Sequence, residues 1–151
     1  MSTRDGASDA LPFAATHVVR DACLCLHVQR AARVLARRFD EALRPHDLTH
    51  GQFSLLISLN RPEPPSIGSV AALLAMDRTT LTANLKPLER RRLVKVSVDK
   101  EDKRSRRLTI TAAGRALLNK AFPVWQRTHD EIERLIPGQA DAVRGALRAL
   151  S

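Results

Sequence analysis

In the run RTTLTANLK at 78–86, Arg78, Thr79, Thr80, Thr82, Asn84 and Lys86 surround leucines that recur at helical spacing. Arginine and asparagine can make paired hydrogen bonds to base edges, whereas hydroxyls and lysine suit phosphate oxygens. Such a set fits a helix lying in the major groove of duplex DNA. Residues near its start should do most of the reading, because the helix dipole favours phosphate there. Ser66, which opens the preceding helix, and Arg90, beyond Pro87, extend the set toward the flanking backbone. Pro87 is expected to cost one intrahelical bond and to limit the straight, groove-facing part to the residues before it. A second basic cluster lies in DKEDKRSRR at 99–107. A basic loop can place an arginine in the narrow minor groove, where negative potential is focused. Arg104 is assigned that role, with Asp102 expected to hold its guanidinium by a charge-assisted bond, and Lys103, Arg106 and Arg107 to touch phosphates. For any one of these side chains a solvated surface is the plain alternative; their combination is what favours DNA.

The elements that must position these residues are mainly helical. Residues 1–12 are small, polar and charged, and are expected to form a disordered tail. From about Thr16 to Leu43 no proline or glycine intervenes, and Leu24, Val28, Ala31, Leu35, Phe39 and Ala42 make a stripe that predicts one long helix. Thr49 caps a second helix and Ser66 a short third one. Asp77 caps a fourth, with Leu81, Leu85 and Leu88 inward. The third and fourth, joined by a tight turn at Ala75 and Met76, make a helix-turn-helix pattern. LVKVSV and LTIT alternate apolar and polar residues around the basic loop, which predicts a hairpin. Thr111 caps a fifth helix carrying Leu118, Phe122, Trp125, His129, Ile132 and Ile136, with a kink expected at Pro123. A short last helix carries Val143, Leu147 and Leu150. The fold class is therefore mainly α with a small β-hairpin wing. A winged helix-turn-helix at 48–111 is flanked by N-terminal (13–47) and C-terminal (112–151) dimerisation helices within a single domain. These flanks carry more apolar surface than a small winged core can cover, above all around Ala22 to Val28, so a second copy must cover it. A two-fold dimer would set two reading helices about 34 Å apart, one turn of DNA.

Composition agrees. The net charge is +9 and the isoelectric point near 10.9, which favours a polyanionic partner. The bias is focused: residues 67–110 hold eleven Lys and Arg against five Asp and Glu. With 44% hydrophobic and 27% charged residues the chain is globular, and 3% aromatics argue against a base-stacking or sugar-binding surface. No apolar run approaches the roughly 20 residues of a membrane span, so the expected location is cytoplasmic. The histidines His17, His27, His46, His50 and His129 make no metal-ligand spacing, and no phosphate loop or nucleophile elbow is present. No catalytic residue, metal or cofactor is therefore expected. A winged helix used only for protein interaction remains as a rival, although it would not need arginine at the wing.

These residues resemble the winged helix-turn-helix of the MarR family of bacterial transcription regulators. The matching pieces are AALLAMDRTTLTANLKPLERRRLV, the wing DKEDKRSRRLTITAAG with its Asp102-x-Arg104 pair, and the Leu48-Thr49-x-x-Gln52-Phe53 opening. The resemblance implies a homodimer reading a pseudo-palindromic operator, usually a repressor relieved by a small molecule or an oxidant. Two positions depart from the pattern, Ala75 in the turn and Arg92 after the fourth helix, where the family often has glycine. Alanine fits the turn if φ stays negative, and Arg92 either accepts a left-handed conformation or ends the helix differently.

An effector site is expected where the first, second and fifth helices meet, near Cys25, His27, Arg30, His50 and Phe53. Arg30 and His27 would hold an anionic or phenolic ligand, as aromatic carboxylates are frequent effectors in the family. Cys25 stands at a distance before Leu48-Thr49 similar to that of the reactive cysteine in the hydroperoxide-sensing branch. The chain has no tyrosine to hold a thiolate, as that branch does. Cys23 and Cys25, read on one helix with about 100° between successive residues, would point apart and form neither a disulfide nor a joint metal site.

Overall fold

The computed structural model describes residues 10–151, so the tail expected at 1–12 falls outside the described residues up to position 9. The single N-terminal helix is two: α1 (Phe13–Ala22) and α2 (Leu24–Leu43). Between them Cys23 is extended at φ −74°, ψ 106°, with its N–H donating to the carbonyl of Val19. The apolar period runs through this point without a glycine or proline, so periodicity could not reveal a one-residue interruption. The angular argument about Cys23 and Cys25 fails with it, because Cys23 is not helical. Both thiols are free, and Cys25 is exposed.

The chain divides after Ala36 into two compact units. The first carries exposed Phe13, Val18, Val19, Leu24 and Val28. In the second, a 3-10 turn (Arg44–His46) leads into α3 (His50–Ser58), α4 (Ile67–Leu73), α5 (Arg78–Arg90), β1 (Val94–Val98), β2 (Arg106–Ile110), α6 (Ala112–Glu133) and α7 (Ala140–Ala149). The expected caps all form. Thr49 accepts from the N–H of Gln52, whose side chain accepts from the N–H of Thr49; Ser66, Asp77 and Thr111 accept from the N–H three residues on. Phe53 of α3 stacks on Trp125 of α6 with ring centroids 6.2 Å apart, and both helices close over a core of Leu55, Leu56, Leu81, Leu85, Leu88 and Leu108.

Three helix ends turn through a left-handed residue that is not glycine: Asp47 (φ 51°), Ala75 (φ 50°) and Arg92 (φ 57°). In each, the next N–H reaches back to the carbonyl five residues earlier: Leu48 to Leu43, Met76 to Ala71, Leu93 to Leu88. These paired closures satisfy helix-end carbonyls and hold the strained corner. Ala75 therefore departs from the negative φ expected of it, and Arg92 takes the left-handed option. Gly114 lets α6 start directly against β1, since a Cβ there would lie 2.3 Å from the Leu93 carbonyl oxygen. That oxygen accepts from the N–H of Thr111, the residue that caps α6.

Candidate nucleic-acid interface

α5 contains Thr79, Thr80, Thr82 and Asn84, all mediocre helix formers, and runs through Pro87 to Arg90. Proline alone costs roughly 3 kcal/mol in a helix interior. The helix exists because Leu81, Leu85 and Leu88 are almost wholly buried, each worth about 1.5–3 kcal/mol. α5 thus continues through Pro87 as far as Arg90. Once these leucines are inward, Arg78, Thr79, Thr80, Thr82, Ala83, Asn84, Lys86 and Arg90 all face out, forming one continuous polar face.

The hydroxyls are less free than their types suggest. Thr80 Oγ1 donates to Asp77 at 2.7 Å and Thr82 Oγ1 donates to the Arg78 carbonyl at 2.7 Å, whereas the Thr79 side chain is exposed. Asp77 is held below the usual carboxylate range, first by the backbone N–H of Thr80 and then by its hydroxyl. The Arg78 guanidinium folds over Gly68 of α4, where a Cβ would sit 2.9 Å from its Nη2. Asn84 makes only a long contact to the sulfur of Met76. Ser66 accepts from the N–H of Ser69 and is half-buried at the start of α4. Arg91 donates to the Asp47 carbonyl and is therefore structural, while Arg90 stays exposed.

The hairpin pairs Val94 with Ile110, Val96 with Leu108 and Val98 with Arg106, so Arg106 and Arg107 belong to a strand rather than to the loop. The expected Asp102–Arg104 guanidinium pair is not made: Asp102 Oδ1 accepts instead from the backbone N–H of Arg104 at 3.0 Å. An N–H two residues away is reached without ordering a long side chain, so it wins. Arg104 is left exposed, with no ion pair among the described residues, beside exposed Lys100 and Lys103. Arg106 turns back toward the carbonyls of Lys103 and Ser105. Arg107, expected to touch phosphate, is instead paired with Asp99 and donates to the Pro64 carbonyl. Asp99 was missed because the two partners are eight residues apart and meet only once the hairpin register is known.

Comparison with known proteins decides the family. The MarR family profile matches residues 48–105, which contain α3, α4, α5 and the wing loop. A transcriptional regulator of M. tuberculosis, MosR, solved in complex with DNA, is 36% identical with a TM-score of 0.76, covering 84% of this chain and 92% of that one. The chain belongs to the MarR family. Among other relatives, the regulator SarZ of Staphylococcus haemolyticus is 27% identical over 75% of this chain and 82% of its own. Bordetella bronchiseptica BpsR, described with regulation of its DNA binding by 6-hydroxynicotinic acid, is 26% identical with a TM-score of 0.76, covering 85% and 93%. Like other MarR proteins, this chain is a DNA-binding transcription regulator and not an enzyme.

The residues assigned to an effector lie in both units. Cys25, His27 and Arg30 are exposed on α2. The Cys25 sulfur accepts from Gln29 at 3.2 Å, and His27 Nδ1 lies 2.8 Å from the Cys23 carbonyl. Phe53 is buried in the core, and His50 bonds to Asp40 through both its N–H and its Nδ1. Asp40 is held below the usual carboxylate range, first by that backbone N–H. Among the described residues no helix is long and apolar enough to cross a membrane.

Proposed function

We propose that the protein is a cytoplasmic homodimeric repressor that grips a pseudo-palindromic operator with α5 in the major groove and Arg104 in the adjacent minor groove. The polar face of α5, emptied of every apolar residue but Ala83 by the burial of its leucines, carries this reading. Arg78 and Asn84 read bases, Thr79 and Lys86 take phosphates, and Ser66, Arg90, Lys103 and Arg106 support the flanks; Thr80 and Thr82 serve through backbone geometry. The terminal segments 13–47 and 112–151 form the dimer. Val143, Leu147 and Leu150 at the C-terminus are exposed, as are the apolar residues of α1, and a second copy supplies their cover. Leu147→Glu should therefore give monomers in analytical ultracentrifugation and weaken operator binding.

Duplex binding at rising salt tests the interface. Arg104→Ala should weaken binding to all sequences, most at A·T-rich flanks, and Asn84→Ala should relax base preference. Parental affinity of both variants for a selected operator would remove these roles. The relation to BpsR supports release by a small aromatic or anionic effector, with His27 and Arg30 as candidate contacts. A second reading, oxidation of Cys25, rests on its free thiol and its distance before Leu48-Thr49. Mass spectrometry after peroxide, with Cys25→Ser as control, decides it: an unmodified protein still on DNA rules it out.

A further inference from the structure

Asp99 is the one acidic or basic side chain that is buried among the described residues, at 7% exposure, and none of the contacts assigned to DNA uses it. It stands where β1 gives way to the wing loop. Oδ1 accepts from the backbone N–H of Glu101 at 2.8 Å and of Asp102 at 3.3 Å; Oδ2 accepts from Arg107 Nε. Arg107 Nη1 donates in turn to the carbonyl of Pro64 at 3.2 Å. Beside it the backbone of Arg107 bridges to Ser66, and the N–H of Leu108 donates to the Pro65 carbonyl. A continuous line of bonds thus joins the wing tip to the 64–66 linker, whose last residue caps α4. A shielded carboxylate is costly unless paired, and this one is satisfied on both oxygens.

We propose that Asp99 and Arg107 are positioning residues: without touching DNA, they fix the wing against the start of α4 so that Arg104 meets the minor groove while α5 occupies the major one. A two-stranded hairpin is marginal on its own, and a wing left free would lose entropy on every binding event. The tie removes that loss beforehand. Arg107 is well suited to it, because a planar fork spans the carboxylate and the Pro64 carbonyl, a geometry that lysine cannot reproduce.

The inference rests on the minor-groove role of Arg104, and a double-mutant cycle separates the two. Binding is measured for the parent, Asp99→Asn, Arg104→Ala and the double variant, on operator duplexes with A·T or G·C flanks, with folding checked by helical circular dichroism. Arg104→Ala should cost about tenfold in affinity on A·T flanks, and Asp99→Asn a loss of the same order, since both forfeit one charge-assisted contact. The double variant should be little weaker than either single one, and base preference under α5 should not move. An equal loss from Asp99→Asn with and without Arg104 would make Asp99 merely structural and overturn the proposal. Parental binding by Asp99→Asn would do the same. Parental binding by Arg104→Ala would instead remove the minor-groove reading, and the positioning role would fall with it. Arg107→Lys keeps the charge and the fold but loses the fork; it should behave as Asp99→Asn does, and parental binding by it would overturn the tie.

Discussion

Replacing Gly114 with alanine puts a methyl carbon 2.3 Å from the Leu93 carbonyl oxygen and 2.8 Å from Cγ1 of Ile110. Real Cβ atoms do not come within 3.0 Å of such neighbours, and here the nearest is backbone, which cannot swing aside. The start of α6 must therefore move off β1. That motion stretches the bond from the Thr111 N–H to Leu93, at 3.0 Å, and the one from the Thr111 hydroxyl to the Arg92 carbonyl, at 2.7 Å. Each such bond contributes about 1 kcal/mol, and overpacking of this kind costs roughly 1–3 kcal/mol. Together these come to roughly 3–5 kcal/mol; the better helix propensity of alanine returns at most about 1 kcal/mol, so a net loss of roughly 2–4 kcal/mol is expected. Gly51 is the internal control: the nearest atom to a Cβ there is 3.9 Å away, so Gly51→Ala should be neutral or stabilising by a few tenths of a kcal/mol. Urea unfolding at one fixed protein concentration measures both as midpoint shifts with unchanged slope. If Gly114→Ala matched or exceeded the parent in stability, the close approach of α6 to β1 would be wrong.

Gly68→Ala should displace the Arg78 guanidinium and change preference at a single base pair of a selected operator, and this effect should vanish in an Arg78→Ala background. Because Asp77 and Asp99 are held below the usual carboxylate range, they contribute stability that is complete above their unfolded pKa of about 3.9 and is lost as pH falls through their lower folded values. Thermal melts between pH 7 and pH 2 should show this loss only at the acid end, with a shallower fall for Asp77→Asn, which still caps α5. Operator affinity should fall linearly on a log–log plot against salt, and Lys86→Ala should reduce the slope by about one; an unchanged slope would mean that Lys86 neutralises no phosphate.

What the sequence made legible were local devices with one-sided chemistry. Thr49, Ser66, Asp77 and Thr111 each precede an apolar run and can do little but cap it. Leu81, Leu85 and Leu88 define the buried face of α5 so sharply that the exposed set follows by subtraction. The rest needed coordinates because several partners compete for one group. The carboxylate of Asp102 could take a guanidinium or a nearby N–H, and only the fold of the loop chose the N–H. Arg107 looked like any other cation of the wing until the strand register brought it to Asp99. The break at Cys23 and the positive φ of Ala75 carry no compositional mark, since neither residue is a usual breaker or a usual left-handed former.

The corners at Asp47, Ala75 and Arg92 place ordinary residues where glycine would relax the backbone. A side chain in the left-handed region costs roughly 1–2 kcal/mol in the native state, while glycine would give back about 0.4–1 kcal/mol through the greater freedom of the unfolded chain. The first outweighs the second by roughly 1 kcal/mol, a cost small enough for the paired closures to hold a side chain at each corner. At Arg92 such latitude permits a third cation in a row at the end of α5, so the joint adds to the positive charge beside the helix proposed to enter the major groove.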